Sequence, residues 1–388
     1  MPLRLLVAAV LLVSATVAWR AGEFYSGGLD PVVAAKGLLT GLALLVALPG
    51  RDQSHPLPLA PIAWFAGYLV LSCLAAVAGD LTAPSLVLTV RLAVTGAAVL
   101  LLVHRFGPLQ VLSAFSTAML SVAGMATVTG VGTIGSGRLS GGIPAATPNE
   151  IAILCGLPLL MAVWGWVRGR ARPLEILLIP ALVVVIWLTG SRTGLVVVGA
   201  AALVLYVSSR RVSVPAFCVA VLSLPVVLYV ATTTSLLADY LGRGGTRGLL
   251  TFSSRTYAWD AALRLADDFW SFWVGAGLAV KQIPVNAPYW SVQGLDSSWF
   301  GALVQVGWGG VFLVLAWTLH SGLASIRSYH RALVLPLLAL AAARAVLESG
   351  MFDSTPAFLA FFVGTIAAFA TPRTAGDATH PIPHRSLG

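Results

Sequence analysis

The chain has 388 residues, of which 58% are hydrophobic and only 10% are charged, and its formal net charge is +9. Soluble domains carry about 25% charged residues. A mean hydropathy of +0.91 therefore excludes an ordinary soluble protein and indicates one that crosses a membrane several times. On a soluble chain this positive charge would suggest nucleic-acid binding. In a membrane protein, basic residues at the cytoplasmic helix ends account for much of it, so no nucleic-acid partner is expected.

The apolar runs are continuous and about 16–22 residues long, which predicts membrane-spanning helices and not the alternating strands of a barrel. About twelve spans are expected. They lie at residues 3–19, 32–49, 59–78, 85–104, 109–129, 149–167, 174–190, 192–208, 214–231, 297–320, 331–347 and 354–371. The predicted fold class is an all-α polytopic membrane protein.

One long segment, between the predicted ninth and tenth spans, is too polar to cross a membrane. We therefore divide the chain into helices one to nine over 1–231, a large loop with short helices over 232–296, helices ten to twelve over 297–371, and a tail over 372–388. The tail is rich in Pro, Thr and His and is predicted to be disordered. The first apolar run resembles a signal peptide, but the spans that follow favour an uncleaved helix.

The arginines predict the orientation of these spans. With the amino end in the cytoplasm, the inner connections hold many of them, including Arg4, Arg105, Arg168, Arg170, Arg172, Arg327 and Arg331. The short outer connections hold Arg20, Arg138, Arg192 and Arg344. This bias places both termini in the cytoplasm and the large loop outside the cytoplasmic (plasma) membrane.

Two cations fall inside apolar runs close to the predicted outer helix ends: Lys36 and Arg91. An ionisable side chain in a span costs about 2.5–3.5 kcal/mol on insertion scales, so it usually has a partner or a function. The alternative is that each long side chain reaches up to the lipid headgroups. Both interpretations stay open at this point.

Two outer connections combine polar groups with glycine. The first runs from Gly130 to Asn149 and contains Arg138. The second is a tight break at 189–194 that contains Ser191 and Arg192. Arg192 begins a helix, where free backbone N–H groups and the helix dipole favour an anion, and a guanidinium grips phosphate oxygens in pairs. The alternatives are that Arg138 belongs to a flexible turn and that Arg192 anchors the chain to lipid headgroups.

The large loop contains further candidates. Ser253-Ser254 is expected to cap a helix from about Arg255 to Asp267, which places Arg255 in its first turn and Trp259 in its second. Asp296 lies where the chain re-enters the membrane. Its carboxylate is suited either to capping the following helix or to acting as a general base in a partly dry site.

Near the carboxyl end, Arg344 and Glu348 are four residues apart at an outer helix end, so they are candidates for the site or for a pair that neutralises itself. The spacing of Cys73, Cys155 and Cys218 fits neither a disulfide framework nor a metal site. No metal and no cofactor is predicted.

These features together resemble the O-antigen ligase and Wzy-type polymerase superfamily of bacterial membrane glycosyltransferases, which are GT-C-like. The likeness covers about twelve spans with one large outer loop. Its local matches are Arg138 with Pro148-Asn149, Ser191-Arg192-Thr193-Gly194, Arg255 with Trp259, Gly275 with Gly277, and Asp296-Ser297 leading to Gly307 and Gly310.

The resemblance implies a donor glycan linked to undecaprenyl diphosphate. It also implies transfer, with inversion and without metal, to a hydroxyl of a glycan or glycolipid acceptor on the outer side of the cytoplasmic membrane. Arg192 and Arg255 would hold the diphosphate, with Arg138 as a third cation. Lys36 and Arg91 are further candidates because they are predicted to lie at the same face.

The chain departs from the family at one position. Family ligases usually begin the re-entry segment with a His that is proposed to activate the acceptor hydroxyl, whereas this chain has Asp296 followed by Ser297. Either the carboxylate takes that role or stabilisation of the leaving diphosphate is the larger effect. Ligase and polymerase remain open. The alternatives from other classes are a transporter or flippase of a lipid-linked or anionic solute, and an assembly protein.

Overall fold

A computed structural model describes residues 1–20, 25, 27–28, 30–48, 55–209, 255, 257–265, 268–285 and 291–370. The predicted span at 214–231, the loop up to residue 254, Asp267 and the predicted tail at 372–388 lie outside the described residues. The division of the chain into four parts therefore stays a prediction.

The described residues are mainly helical, which confirms the prediction of a helical membrane protein. The helices are α1 (Leu3–Thr16), α2 (Pro31–Ala47), α3 (Leu59–Ala78), α4 (Thr82–Phe106), α5 (Pro108–Gly130), a 3₁₀ helix (Val131–Ser136), α6 (Pro148–Val167), α7 (Pro173–Leu188), α8 (Arg192–Ser208), α9 (Phe269–Val274), α10 (Ser298–Arg327), α11 (Arg331–Leu347) and α12 (Pro356–Phe369). Residues 257–263 are also helical. Among the described helices, five are long and apolar enough to cross a membrane.

Two features differ from an all-helical expectation. Gln282–Pro284 (β1) and Val292–Gly294 (β2) form an antiparallel hairpin within the loop. The helix expected at 297–320 continues to Arg327, because residues 321–327 include no proline that would end it.

The core surrounds α12, most of whose residues are buried. Phe358 and Phe362 stack with ring centroids 5.3 Å apart, and Phe65 of α3 lies 4.8 Å from Phe362. Trp317 of α10 is fully buried beside the same rings. Because lipid is as apolar as these side chains, close packing and not water exclusion holds such helices together. The central helix thereby fixes α3 and α10 relative to each other.

The loop is attached to α10 at a kink. Gly307 interrupts the helix with a φ of +66°, and the backbone N–H groups of Ala276 and Gly277 donate to Val304 O at 2.8 Å and to Gln305 O at 2.9 Å. The carbonyl groups around the break thus find donors in the loop, as backbone within a membrane must. Gly275 also has a positive φ, of +81°, which permits the close approach.

We expect Gly307→Ala to lower the melting temperature of the purified protein, because its φ of +66° with a ψ of −173° costs a non-glycine residue about 1–3 kcal/mol and a Cβ would overlap the Trp273 backbone. Gly301→Ala in the same helix is the matched control, since a Cβ there meets nothing within 4 Å. Detergent-based thermal unfolding measures both. Equal melting temperatures would contradict a kink that requires glycine.

Candidate functional site

Most of the predicted site residues lie at one end of the helix bundle, here called the site end. It is formed by the last residues of α1, α7 and α11 and the first residues of α2, α6, α8, α10 and α12. Direct contacts join these ends: Ala18 N donates to Glu150 Oε1 at 2.7 Å, and Arg138 Nε donates to Thr189 O at 3.0 Å. The alternating helix direction predicted from the apolar runs therefore brings distant polar segments together.

Glu348 connects several of these segments. It directly follows α11, and its Oε1 accepts hydrogen bonds from Asn149 Nδ2 at 2.7 Å and from Arg255 Nη2 at 3.3 Å. Its backbone oxygen accepts from the Oγ of Ser298, at 2.8 Å. One residue thus holds α6, α10 and α11 against the Arg255 segment, and its side chain is only 12% exposed.

Arg255 lies between two carboxylates. Its Nη2 faces Glu348, and its Nε lies 3.5 Å from Asp296 Oδ2. The guanidinium is 12% exposed, whereas the Asp296 side chain is 48% exposed. Ser297, and not Asp296, occupies the N-cap of α10, so the capping interpretation of Asp296 is not what the structure shows. The carboxylate instead forms part of a charge cluster that we call the Arg255 cluster: Asn149, Arg255, Asp296 and Glu348.

Both carboxylates of the cluster have raised pKa values. Burial raises the pKa of Asp296, and the neighbouring Arg255 charge only partly opposes this. Burial likewise raises the pKa of Glu348, against the lowering effects of Arg344 and Arg255 and with a further raising effect from Asp296. A carboxylate with a raised pKa is a better proton acceptor than a solvated one, which is the property that a general base requires.

The predicted anion site at 189–194 lies close to this cluster. Ser191 caps α8, with its Oγ accepting from Gly194 N at 3.1 Å. A narrow cavity is lined by both Ser191 and Glu348, together with Asn149, Thr193 and Arg344. Arg192 is the first residue of α8 and stands between Ser191 and Thr193, which both line this cavity. Arg138 contacts the same turn through Thr189.

Trp259 anchors the loop segment that carries Arg255. Its ring stacks on Phe300 of α10 with centroids 5.0 Å apart and an interplanar angle of 5°. Ala258 and Ala262, from the same helical segment, share a small apolar cluster with Ile283 of the hairpin. The predicted helix after Arg255 is present over 257–263, and its packing fixes the segment that positions the guanidinium.

The other predicted cations have mainly backbone partners. Arg91 Nη2 donates to Ala15 O at 2.6 Å and to Ser354 O at 3.4 Å, so it links α4 to the end of α1 and the start of α12. Arg344 Nη1 donates to Ser349 O at 2.9 Å. Lys36 interacts electrostatically with Arg91 and Glu150. The structure therefore places Arg91 and Arg344 where they support the site end.

One contact of this region was not predicted from the sequence. Lys281 Nζ lies 2.6 Å from Asp353 Oδ2, and both line a cavity of about 60 Å³ that Asp296 also borders. Each residue is a charged residue in the sequence, but 72 positions separate the two and no local pattern indicates that they pair. Among the described residues, no group of three or more His, Cys, Asp or Glu side chains is arranged to hold a metal ion.

We expect Glu348→Gln to flatten the dependence of stability on pH. A carboxyl group whose folded pKa is raised contributes stability below its ordinary pKa and loses that contribution as pH rises through the raised value. Melting temperatures of the parent should therefore fall more steeply with rising pH than those of the variant. Asp260→Asn is the control, since Asp260 is 59% exposed and pairs with Arg264 on the loop surface. Parallel curves for the parent and Glu348→Gln would show that ionisation of Glu348 does not destabilise the folded protein.

Comparison with known proteins gives one family. Residues 176–315 match the family model described as O-antigen ligase. The matched stretch contains Ser191, Arg192, Arg255, Trp259 and Asp296, and it ends within α10. No curated protein matches the chain. The family match confirms the resemblance to the O-antigen ligase and Wzy-type superfamily, while Asn149 and Glu348 lie outside the matched residues.

Proposed function

We propose that this chain, which carries an O-antigen ligase domain over residues 176–315, is a membrane glycosyltransferase. It transfers a glycan from an undecaprenyl-diphosphate-linked donor to a hydroxyl of a glycan or glycolipid acceptor, with inversion and without metal. The site end faces the outer side of the cytoplasmic membrane, and both termini face the cytoplasm. The observation that carries the proposal is the Arg255 cluster, which places a nearly buried guanidinium beside a buried and a half-exposed carboxylate, close to the start of α8.

The diphosphate is held by Arg192 and Arg255, with Arg138 as the third cation and with Lys36 and Arg91 adding positive charge. Several observations support this arrangement. Arg192 begins a helix whose free N–H groups favour an anion. Glu348, which binds Arg255, lines the same cavity as Ser191. Guanidinium groups stabilise the negative charge that grows on the leaving diphosphate, which is commonly the largest catalytic contribution.

Asp296 acts as the general base. Its carboxylate takes the proton of the acceptor hydroxyl while the acceptor oxygen forms a bond to the anomeric carbon. The bond from that carbon to the diphosphate oxygen breaks, and its electron pair leaves with the polyprenyl diphosphate. Because the Arg255 to Asp296 contact is the longer and more exposed of the two, at 3.5 Å, a bound diphosphate displaces Asp296 more easily than Glu348. Donor binding thereby frees the base.

The family match does not favour the alternative of a transporter or flippase for a lipid-linked or anionic solute. Transporters place charged residues and broken helices near the middle of the membrane, commonly within internal repeats. In the described part of this chain, the contacts among Asn149, Arg255, Asp296 and Glu348 lie at one end of the bundle instead.

Replacing both Arg192 and Arg255 with Ala is expected to abolish transfer, and Arg255→Ala alone to lower the rate at least about 100-fold, since losing one positioned donor to a developing anion costs about 10²–10³ in rate. The matched control is Arg264→Ala on the same loop segment, where the side chain is 77% exposed and pairs with Asp260. The assay follows consumption of a lipid-diphosphate glycan by purified protein. A double variant that transfers glycan at the parental rate would show that Arg192 and Arg255 do not hold the diphosphate.

The base is tested by Asp296→Asn and Asp296→His. The Asn variant is expected to lose the acid limb of the pH–rate profile together with most of its activity. The parent should lose activity as pH falls through a pKa above that of an ordinary aspartate, because burial raises it. The His variant should recover part of the rate with a limb near the usual histidine pKa of about 6.5. Full activity in the Asn variant would show that Asp296 is not the general base and serves only as a partner of Arg255.

A further inference from the structure

The opposite end of the bundle has a basic cavity that the proposed reaction does not use. It has a volume of about 710 Å³ and lies among the last residues of α6, α8 and α10 and the first residues of α11. We call it the basic cavity and define it by four arginines and the polar residues around them. The arginines are Arg168, Arg170, Arg327 and Arg331, and the polar residues are Ser208, Ser209, Ser328 and Tyr329.

Within the described part of the chain, the residues around this cavity do not neutralise its charge. None of the described residues that line it is acidic, and none of its four arginines forms an ion pair with a described carboxylate. The Arg168 guanidinium packs over an aromatic ring instead, 5.0 Å from the centre of the Trp164 ring. The positive-inside bias explains why arginines are present at this end, but it does not explain their grouping around one cavity.

The type of cation around this cavity points to a phosphate group. The planar guanidinium fork of arginine matches the oxygens of a phosphate and binds them through charge-assisted hydrogen bonds. Four arginines around one cavity therefore indicate a ligand that carries phosphate.

The surface beside the cavity identifies the kind of molecule that carries the phosphate. Ile326 lines the cavity, and a row of exposed apolar side chains continues from it along α10 at roughly helical-turn spacing: Leu323, Leu319 and Leu315. A four-residue spacing places them on one face of the helix. A soluble phosphate compound has no use for such a track, whereas an acyl chain would lie along it.

We propose that the basic cavity binds the phosphate headgroup of an anionic membrane phospholipid, with its acyl chains on the exposed face of α10. The volume suits a headgroup, since small-molecule sites usually measure about 300–1,000 Å³. Basic pockets between helix ends are a known way of selecting anionic lipids. Tyr329, 70% exposed, and Trp166, 46% exposed, place aromatic rings at the same level, as at a membrane interface.

The test measures lipid retention and not glycan transfer, so its result is independent of the proposed reaction. Purified full-length protein is titrated with phosphatidylglycerol or phosphatidylcholine in detergent and followed by native mass spectrometry and thermal unfolding. We expect phosphatidylglycerol to bind more tightly and to raise the melting temperature, with an effect that falls as salt rises. The Arg327→Gln, Arg331→Gln double variant should bind it roughly 25-fold more weakly, at about five-fold for each arginine, the change that corresponds to about 1 kcal/mol.

The controls separate this site from a general attraction between the protein and anionic lipid. Arg4→Gln removes an exposed arginine at the amino end of α1, at the same end of the bundle, and should change retention little. If the double variant unfolds, the corresponding Arg→Lys double variant keeps the charge and should retain the lipid. Equal retention of both lipids, equal loss in Arg4→Gln, or the same stabilisation by inorganic phosphate alone would overturn the proposal.

Discussion

The site end depends on one arrangement of charge: the nearly buried guanidinium of Arg255 lies against two carboxylates, Asp296 and Glu348, that come from different segments of the chain. Burying Arg255 without partners would be costly, and pairing alone rarely gives back more than the desolvation it requires. Glu348 therefore has a second bond, to Asn149 at 2.7 Å, and a backbone contact to α10. The raised pKa of each carboxyl group records the same balance, because burial outweighs the shared cation. Such a cluster is poised to exchange a carboxylate for another anion.

Sequence patterns predicted the parts of this arrangement that are local. Continuous apolar runs predicted the helices, and their alternating direction placed Arg138, Asn149, Ser191 and Asp296 at a common end. The helix after Arg255 also followed from a short-range rule, since a capped helix start is marked by neighbouring residues. In each case the evidence lay within one or two helical turns, which is the range over which sequence periodicity carries information.

What sequence could not show was pairing between distant residues. Glu348 was read as a candidate site residue or as the partner of Arg344, four positions away, because helical spacing is a contact rule that needs no fold. The structure adds hydrogen bonds from Asn149, 199 positions away, and from Arg255, 93 positions away. Asp296 was open to a capping role, but Ser297 occupies the N-cap position of α10. The Lys281 to Asp353 pair was missed for the same reason. The sequence shows which residues are charged, but tertiary packing decides which of them become partners.

The two ends of the bundle use arginine differently, and the difference separates chemistry from anchoring. At the site end, Arg255 is held by carboxylates and Arg91 and Arg344 by backbone oxygens, so each guanidinium has a fixed direction and little freedom. Fixed donors cost no reorganisation when charge develops on a substrate, which is what electrostatic catalysis requires. Around the basic cavity, the described arginines lack carboxylate partners and lie close to exposed apolar surface. That combination suits a permanent anion of the bilayer, for which attraction is sufficient and exact direction is not needed.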